Sequence, residues 1–201
     1  MDKALIIFAK NLEEGKVKTR LAKDVGPVNA LIVYKHLLDH TRQISSKVDA
    51  DRLLFYSRTI QVSDEWPVND FQKHLQSGGD LGLRMLNAFD QAFSDGYTRV
   101  IIIGSDCLEL TSDLLSGAFE QLKDHDFVIG PANDGGYYLL GMNSPHPALF
   151  ENKVWSTQSV FEHTVAQMKS LSKTIYILPQ LSDVDTIDDL NPELLSILIS
   201  R

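Results

Sequence analysis

Short apolar runs alternate with amphipathic segments along this chain, and this alternation constrains the fold more than any other feature. The runs are rich in β-branched and aromatic residues, which is typical of buried strands. They lie at 5–8, 53–56, 100–103, 127–129, 137–142 and 174–178. Segments whose apolar residues recur every three or four positions predict helices, at 27–38, 81–92, 114–122, 158–168 and 194–198. Alternation of this kind predicts an α/β fold in which helices cover both faces of a sheet.

One pair of predicted strands breaks the parallel pattern. The run at 137–142 follows the run at 127–129 after a short stretch of turn residues, 130–136. Parallel neighbours need about a dozen residues of crossover, usually including a helix. Because no such connection fits here, we expect these two strands to be antiparallel and the sheet to be mixed.

Composition and charge exclude several classes of protein. The chain has 201 residues and a formal net charge of −8, so we expect one domain over 1–201 and no nucleic-acid partner. Cys107 is the single cysteine, which excludes an intrachain disulfide and a cysteine-rich zinc site. The first apolar stretch, Ala4–Ala9, is too short for a signal peptide or a membrane span. We therefore expect a soluble, cytoplasmic protein.

A cluster of basic residues follows the first predicted strand. Residues 10–23 carry five basic and two acidic side chains in an otherwise acidic chain. The basic residues are Lys10, Lys16, Lys18, Arg20 and Lys23. Such a loop suits a polyphosphate, although neither the P-loop nor the dinucleotide-binding glycine pattern is present. The alternative is a solvated basic loop. In either case we expect exposed cations whose replacement by alanine costs little stability.

Acidic residues follow two other predicted strands. Asp106 comes directly after the strongest apolar run, where a carboxylate needs either a divalent cation or the donors of a turn. Asp183 and Asp185 lie on the same side of an extended segment and repel each other unless a cation is near. The alternative for that segment is a capping box formed by Thr186 and Asp189. We expect Asp106 and Asp185 to converge on one Mg²⁺ or Mn²⁺ ion.

Two further segments have both a structural and a functional interpretation. Gly135 and Gly136 end a turn-rich stretch, where paired glycines either form a hairpin turn or let a ligand approach the backbone. Trp155 marks either the start of a helix or the edge of an acceptor pocket.

Taken together, these segments resemble a known family over residues 3–198. It is a bacterial and archaeal family often labelled a domain of unknown function or "glycosyltransferase". The family is similar to the GT-A nucleotide-diphospho-sugar transferase superfamily and is related to phospholactate and molybdenum-cofactor guanylyltransferases. The residues that carry the resemblance are 8–10, Gly15, 17–21, 79–82 with Arg84, 104–107, 130–131, 134–138, 155–157, 183–186 and 189–190.

The resemblance implies a three-layer α/β/α sandwich with a mostly parallel mixed sheet. It also implies that Lys18 and Arg20 hold phosphates and that Asp106 and Asp185 bind the metal. The segment that contains Gly79 and Leu81, with Arg84 beyond it, would border the base. The sequence departs from the Asp-x-Asp pair of many glycosyltransferases of this fold, because Cys107 and Leu108 follow Asp106.

Three functions fit these observations. The first is a metal-dependent transferase that uses a nucleotide-activated donor, specifically a glycosyltransferase acting on an NDP-sugar and a small acceptor. The second is a nucleotidyltransferase that transfers NMP from an NTP to a small phosphorylated acceptor, and the third is a non-catalytic nucleotide-binding protein. For the enzymes, Asp134 is the predicted catalytic base. The predicted nucleotide-binding residues are Lys10, Lys16, Lys18, Arg20, Gly79, Leu81 and Arg84, and the predicted acceptor pocket is Gly135, Gly136, Tyr137 and Trp155.

Overall fold

A seven-stranded sheet with helices on both faces organises the chain. The computed structural model describes residues 2–151, 153–155 and 157–199. The strands are β1 Lys3–Ala9, β2 Asp51–Tyr56, β3 Gln72–Leu75, β4 Arg99–Ile103, β5 Phe127–Pro131, β6 Tyr137–Met142 and β7 Ile175–Ile177. The helices are α1 Ala22–Val25, α2 Pro27–Ser45, α3 Leu81–Ser94, α4 Ser112–Gln121, α5 Val160–Ser170 and α6 Pro192–Ile199, with 3₁₀ turns at Pro147–Leu149 and Ile187–Asp189.

The sheet is mixed because one strand runs against the others. Its order is β3-β2-β1-β4-β6-β5-β7, and β6 pairs antiparallel with both β4 and β5, whereas the remaining pairs are parallel. The short connection between β5 and β6 therefore joins two antiparallel strands, as predicted. Strand β4, which ends just before Asp106, lies in the middle of the order.

The core lies on both sides of the sheet, as expected for three layers. Strand β1 shows the alternation: Leu5 and Ile7 pack towards α2, α4 and α6, whereas Ala4 and Ile6 pack towards α3 and α5. All four side chains are fully buried. Successive side chains of a strand point to opposite faces, so a continuous apolar run is what a strand covered on both faces requires. The predicted α/β fold is confirmed.

Two elements had no signal in the sequence. Strand β3 contains Gln72, Lys73 and His74, is partly exposed and pairs only with β2. A short strand at the edge of a sheet needs no apolar run, because one of its sides faces solvent. Helix α1 is a single turn of four residues, and only Gly26, where φ is 84°, separates it from the start of α2 at Pro27.

Helix α2 is the longest helix in the described part of the chain and carries a residue that organises the functional region. It has Pro27 in its first turn, and Tyr34 and Leu38 lie on its buried face. Its other face carries charged residues, including Lys35, so it is not uniformly apolar. None of the helices within the described ranges has the length and apolarity that a bilayer crossing requires.

Candidate active site

A cleft of about 440 Å³ opens at the carboxyl ends of β1 and β4. Ligands of open α/β sheets bind at this edge. Many of the residues predicted from the sequence line the cleft. They are Lys10, Lys18, Arg20, Leu81, Asp106, Asp134, Gly136, Tyr137, Trp155 and Asp185.

Lys18 lies between the two acids that the sequence predicts to converge. Its Nζ is 2.9 Å from Asp106 Oδ1 and 3.2 Å from Asp185 Oδ1, so both carboxylates face one point of the cleft. Arg20 Nη1 is 3.3 Å from the second oxygen of Asp185. The two acids share a site, and their role in metal binding stays a prediction.

The expectation that Lys18 is an exposed loop cation is wrong. Its side chain is only 3% exposed, whereas that of Arg20 is 63% exposed. The backbone of Lys18 has φ of 44°, in the left-handed region that residues other than glycine seldom adopt. Burial acts to lower the pKa of the ammonium, but Asp106 and Asp185 outweigh it and raise that pKa above its ordinary value. Lys18 is therefore a buried counter-charge.

Asp106 does not cap a turn through its side chain. Its carboxylate contacts Lys18 and is about a third exposed, while its backbone oxygen accepts a hydrogen bond from the N–H of Val184 at 2.9 Å. Further along, the N–H of Leu181 donates to Pro131 O at 3.1 Å. These bonds fix the segment after β7 against the loops after β4 and β5. This contact brings the C-terminal acids into the cleft.

Asp183 also lines the cleft, although the sequence analysis did not choose it as a ligand. Burial, followed by the like charges of Asp106 and Asp134, raises the pKa of its carboxyl group to about 7. In the described part of the chain this carboxylate has no hydrogen bond or ion pair of its own. The spacing of two residues between Asp183 and Asp185 was the signal in the sequence that both acids belong to one site. The tertiary contacts then decide that Asp185 is the acid that pairs with Lys18 and Arg20.

The capping box predicted for the same segment is present as well. Asp189 Oδ2 accepts hydrogen bonds from the N–H of Thr186 at 2.7 Å and from its Oγ1 at 2.9 Å. The same oxygen accepts from the N–H of Asp185 at 3.0 Å. Because Asp189 fixes the backbone at Asp185, the cap positions the side chain that reaches Lys18 and Arg20.

Tyr34 of α2 joins the loops that follow β1 and β4. Its buried hydroxyl accepts a hydrogen bond from the N–H of Lys10 at 2.8 Å, and its oxygen is 3.0 Å from Ser105 Oγ. Burial and the nearby charge of Asp106 raise the pKa of this phenol above its ordinary value, so it stays neutral. The hydroxyl therefore sets the spacing between the basic loop and Asp106.

The glycine-rich loop combines both interpretations that the sequence left open. Asp134 Oδ1 accepts a hydrogen bond from the N–H of Gly136 at 2.8 Å, which closes a tight turn. Gly135 has φ of 87°, and a Cβ there would lie 2.1 Å from Gln158 O, so only glycine fits. Gly135 serves the turn, whereas Asp134 and Gly136 line the cleft.

Trp155 closes one end of the cleft. A Cβ on Gly82 would lie 2.3 Å from the indole Nε1, so the indole packs directly on the first turn of α3. Lys153 Nζ lies 5.0 Å from the centre of the indole, within the range of a cation–π interaction. On the neighbouring wall, the hydroxyl of Tyr137 donates to Met85 Sδ at 3.8 Å. These contacts give the cleft a fixed aromatic side.

Three residues predicted to bind nucleotide lie away from the lining of the cleft. Lys16 is exposed, and Gly79 belongs to the exposed turn before α3. Arg84 Nε donates to Gly78 O at 3.1 Å, which stabilises that turn. The turn leads to Asp80, whose Oδ1 caps α3 by accepting from the N–H of Leu83 at 2.8 Å. Nucleotide contacts for Lys16, Gly79 and Arg84 remain predictions.

Comparison with known proteins places this chain in a family. The sequence model described as "Uncharacterized protein conserved in bacteria (DUF2064)" matches residues 40–157, more than half of the chain. The chain belongs to the DUF2064 family. No match was found among the curated proteins.

The DUF2064 chain is also similar to solved structures. One is a candidate nucleotide-diphospho-sugar transferase from Desulfovibrio desulfuricans G20, 31% identical over 99% of this chain and 97% of that chain, with a TM-score of 0.86. The 4-diphosphocytidyl-2C-methyl-D-erythritol synthase of Anaerococcus prevotii DSM 20548 is 11% identical over 98% and 95%, with a TM-score of 0.59. A manganese complex of Rv0371c from Mycobacterium tuberculosis H37Rv is 13% identical over 100% of both chains, with a TM-score of 0.51. The last two likenesses show a shared fold only.

Proposed function

We propose that this DUF2064 protein is a metal-dependent transferase that acts on a nucleotide-activated donor, specifically an NDP-sugar. The observation that carries the proposal is the buried Lys18 ammonium between Asp106 and Asp185 in the cleft. The similarity to a candidate nucleotide-diphospho-sugar transferase over nearly the whole chain supports it.

Lys18 and Arg20 are the residues that would hold the diphosphate. Lys18 stays protonated because two carboxylates lie beside it, and the more exposed Arg20 pairs with Asp185. Lys10 lines the cleft as well. As the bond to the sugar breaks, negative charge grows on the diphosphate, and fixed cations stabilise that charge more than the ground state.

The residues present fit a divalent cation. The carboxylates of Asp106, Asp183 and Asp185 supply hard oxygen donors, and burial together with the like charges of Asp106 and Asp134 raises the pKa of Asp183. Within residues 2–151, 153–155 and 157–199, no group of three or more acidic, histidine or cysteine side chains has the geometry to hold a metal alone. Mg²⁺ commonly takes one or two protein carboxylates and completes its shell with phosphate and water. A bound metal would add positive charge against the leaving diphosphate.

Asp134 is the proposed base for the acceptor. Its carboxylate faces the cleft and is fixed by the Gly136 N–H, which holds it in one orientation. In that role it would remove the proton from the acceptor hydroxyl as the hydroxyl oxygen attacks the sugar carbon. The aromatic side formed by Tyr137 and Trp155 would bind the apolar face of the acceptor or sugar.

Nucleotidyl transfer is the second candidate function. Three cations of the basic loop, Lys10, Lys18 and Arg20, line the same cleft, which suits a triphosphate as well as a diphosphate. In that reaction an acceptor phosphate oxygen attacks the α-phosphorus, and pyrophosphate leaves with the pair of electrons from the broken bond. The two candidates differ in the product released.

A binding and product assay tests both candidates. NTPs, NDPs and NDP-sugars are screened by thermal shift with Mg²⁺ or Mn²⁺, because a ligand at 100 times its Kd stabilises a protein by about 2.7 kcal/mol. Each ligand that binds is then incubated with hydroxylated and phosphorylated small acceptors, and released NDP or pyrophosphate is measured. Asp106→Asn is the test variant, and Asp188→Asn, an exposed acid of the same C-terminal region, is the matched control.

The expected result is metal-dependent binding of an NDP-sugar and release of NDP. Asp106→Asn should abolish the metal dependence, whereas Asp188→Asn should leave it unchanged. Release of pyrophosphate from an NTP would replace the first candidate with the second. Nucleotide binding without any product would contradict both and favour a binding protein.

A further inference from the structure

A second cavity lies on the other side of the basic loop. Its volume is about 380 Å³, close to that of the cleft. Its walls are the loop from Ala9 to Glu13, one side of α2, the end of β2 and residues 61–66. Nothing in the proposed transfer reaction uses this space.

The inner wall of the second cavity is apolar. Leu38, Tyr56 and Trp66 line it, and all three are at most 7% exposed. Trp66 is held edge-on against Phe71, with 4.9 Å between ring centres. Because these side chains are fixed by the core, the cavity is preformed and suits a small apolar or aromatic body.

The acids around the second cavity are mostly neutralised by partners. Glu13 pairs with Arg58 at 3.2 Å, and Asp64 pairs with Lys73 at 2.6 Å. Asp39 pairs with Arg42 of the same helix. Glu65 is the remaining acid of the lining, and it is exposed at the rim.

The cations of the second cavity are incompletely satisfied. Lys10 and Lys35 line it, and neither ammonium has an ion-pair partner among the described residues. Arg42 also lines it, and its Nε is buried with no hydrogen-bond partner in the described part of the chain. The guanidinium of Arg42 therefore keeps donor capacity beyond its ion pair with Asp39.

We propose that the second cavity binds a small organic anion with an apolar or aromatic body, its carboxylate facing Arg42 and the neighbouring lysines. The shape of the cavity, its apolar inner wall and the two lysines without an ion-pair partner among the described residues support this ligand class. A neutral ligand of the same shape would leave these two lysines without a partner of opposite charge.

Lys10 joins the second cavity to the cleft, because it lines both. A carboxylate in the second cavity and a phosphate in the cleft would compete for the same ammonium. Binding of the anion should therefore weaken binding of the nucleotide, and the reverse effect must have the same size. This competition rests on the proposed function, whereas binding of the anion does not.

The two tryptophans allow each cavity to be followed separately. Trp66 lines the second cavity and Trp155 lines the cleft, and the chain has no other tryptophan. Trp155→Phe leaves Trp66 as the fluorophore, and Trp66→Phe leaves Trp155. The probes are benzoate, phenylacetate and the neutral analogue benzamide. Titration of Trp155→Phe with benzoate or phenylacetate should give a saturable change in emission, and benzamide should bind at least about tenfold more weakly.

Two variants separate the anion site from general effects on folding. Arg42→Gln in the Trp155→Phe background should weaken binding of benzoate about tenfold. Arg99→Gln is the matched control, because Arg99 pairs with Asp2 near the amino end of β4 and touches neither cavity. Ser63→Phe should fill the cavity without removing a charge and should abolish the response. Urea unfolding of each variant verifies that it is folded.

Three outcomes overturn the proposal. The cavity is not an anion site if neither benzoate nor phenylacetate changes the emission of Trp66 in the folded protein. Equal affinity for benzamide and benzoate would show that the site does not recognise negative charge. An unchanged affinity for benzoate in Arg42→Gln would show that Arg42 does not bind the carboxylate. To test the competition between the two cavities, the nucleotide that binds in the thermal-shift screen is titrated with and without benzoate. An unchanged nucleotide affinity would show that the cavities are independent, while failure of every nucleotide to bind would count against the proposed function alone.

Discussion

The two cavities at the carboxyl edge of the sheet have similar sizes and opposite chemistry. The cleft is lined by four acids, two of which contact one buried lysine, whereas the second cavity has an apolar wall and mostly paired acids. One loop, which begins at Lys10, forms part of both walls. Both cavities thus form where strands end at the edge of the sheet. The class of ligand that each one suits depends on the side chains that tertiary contacts bring there.

Two lysines of the basic loop also differ from each other in burial. Lys18 is buried and neutralises acids from distant parts of the sequence, whereas Lys10 is exposed and lies between the cavities. Lys18 should matter for stability as well as for holding the diphosphate, whereas Lys10 should matter for ligands and little for stability. The following substitutions test this difference, beginning with the largest expected effect.

Lys18→Met should lower the free energy of unfolding by about 3 kcal/mol, because it leaves Asp106 and Asp185 without their shared cation. Urea unfolding at neutral pH measures the loss. The matched variant Arg20→Met removes a 63% exposed cation that pairs with Asp185 and should cost about 0.5 kcal/mol. Equal effects of the two variants would show that burial of Lys18 is unimportant.

Asp183→Asn should stabilise the metal-free protein at pH 8 by about 2 kcal/mol, roughly half of what the full pKa difference implies, because Asp183 is only partly buried and solvent screens its acidic neighbours. The carboxyl pKa is about 7 in the folded protein and 3.8 ordinarily, so the folded state binds more protons and stability falls as pH rises between these values. The variant should remove that fall and match the wild type near pH 4. Unfolding in a chelator at several pH values measures it. A constant difference at all pH values would contradict the titration of Asp183.

Tyr34→Phe should cost about 1.5 kcal/mol, because the Lys10 N–H loses its buried acceptor. The loop between the cavities should also become more mobile, which hydrogen exchange of the Lys10 amide detects. Tyr176→Phe, at a 37% exposed position on β7, is the control and should have no effect. Wild-type protection of Lys10 in the Tyr34 variant would show that the hydroxyl does not hold the loop.

Lys10→Gln should have the smallest effect on folding, within about 0.5 kcal/mol, because its side chain is exposed. Ligand binding should change more. The affinities for the NDP-sugar and for benzoate should each fall about fivefold, and their mutual competition should disappear. Fluorescence of the single-tryptophan variants measures both. If the NDP-sugar and benzoate still compete in Lys10→Gln, residues other than Lys10 couple the two cavities.

Much of the fold was predictable from local pattern. A run such as Val100–Ile103 has one stable environment, a strand covered on both faces, and the short connection before Tyr137 forced an antiparallel neighbour. Strand β3 escaped prediction because an edge strand needs no apolar run. Most of the residues chosen for the site do line one cleft, since the ends of strands in such a sheet meet at one edge.

The sequence by itself determined that strands and helices alternate and that basic and acidic residues follow the strand ends. Only the tertiary structure decided that Lys18 is buried, because the cost of burying its charge is offset by acids 88 and 167 positions further along the chain. The tertiary structure likewise brought Asp183 to the cleft through the hydrogen bond from the N–H of Val184 to Asp106 O. Local patterns follow from backbone geometry and hydrophobicity, which act between neighbours. Counter-charges and cavities depend on which distant segments meet, and that is fixed only when the sheet is assembled.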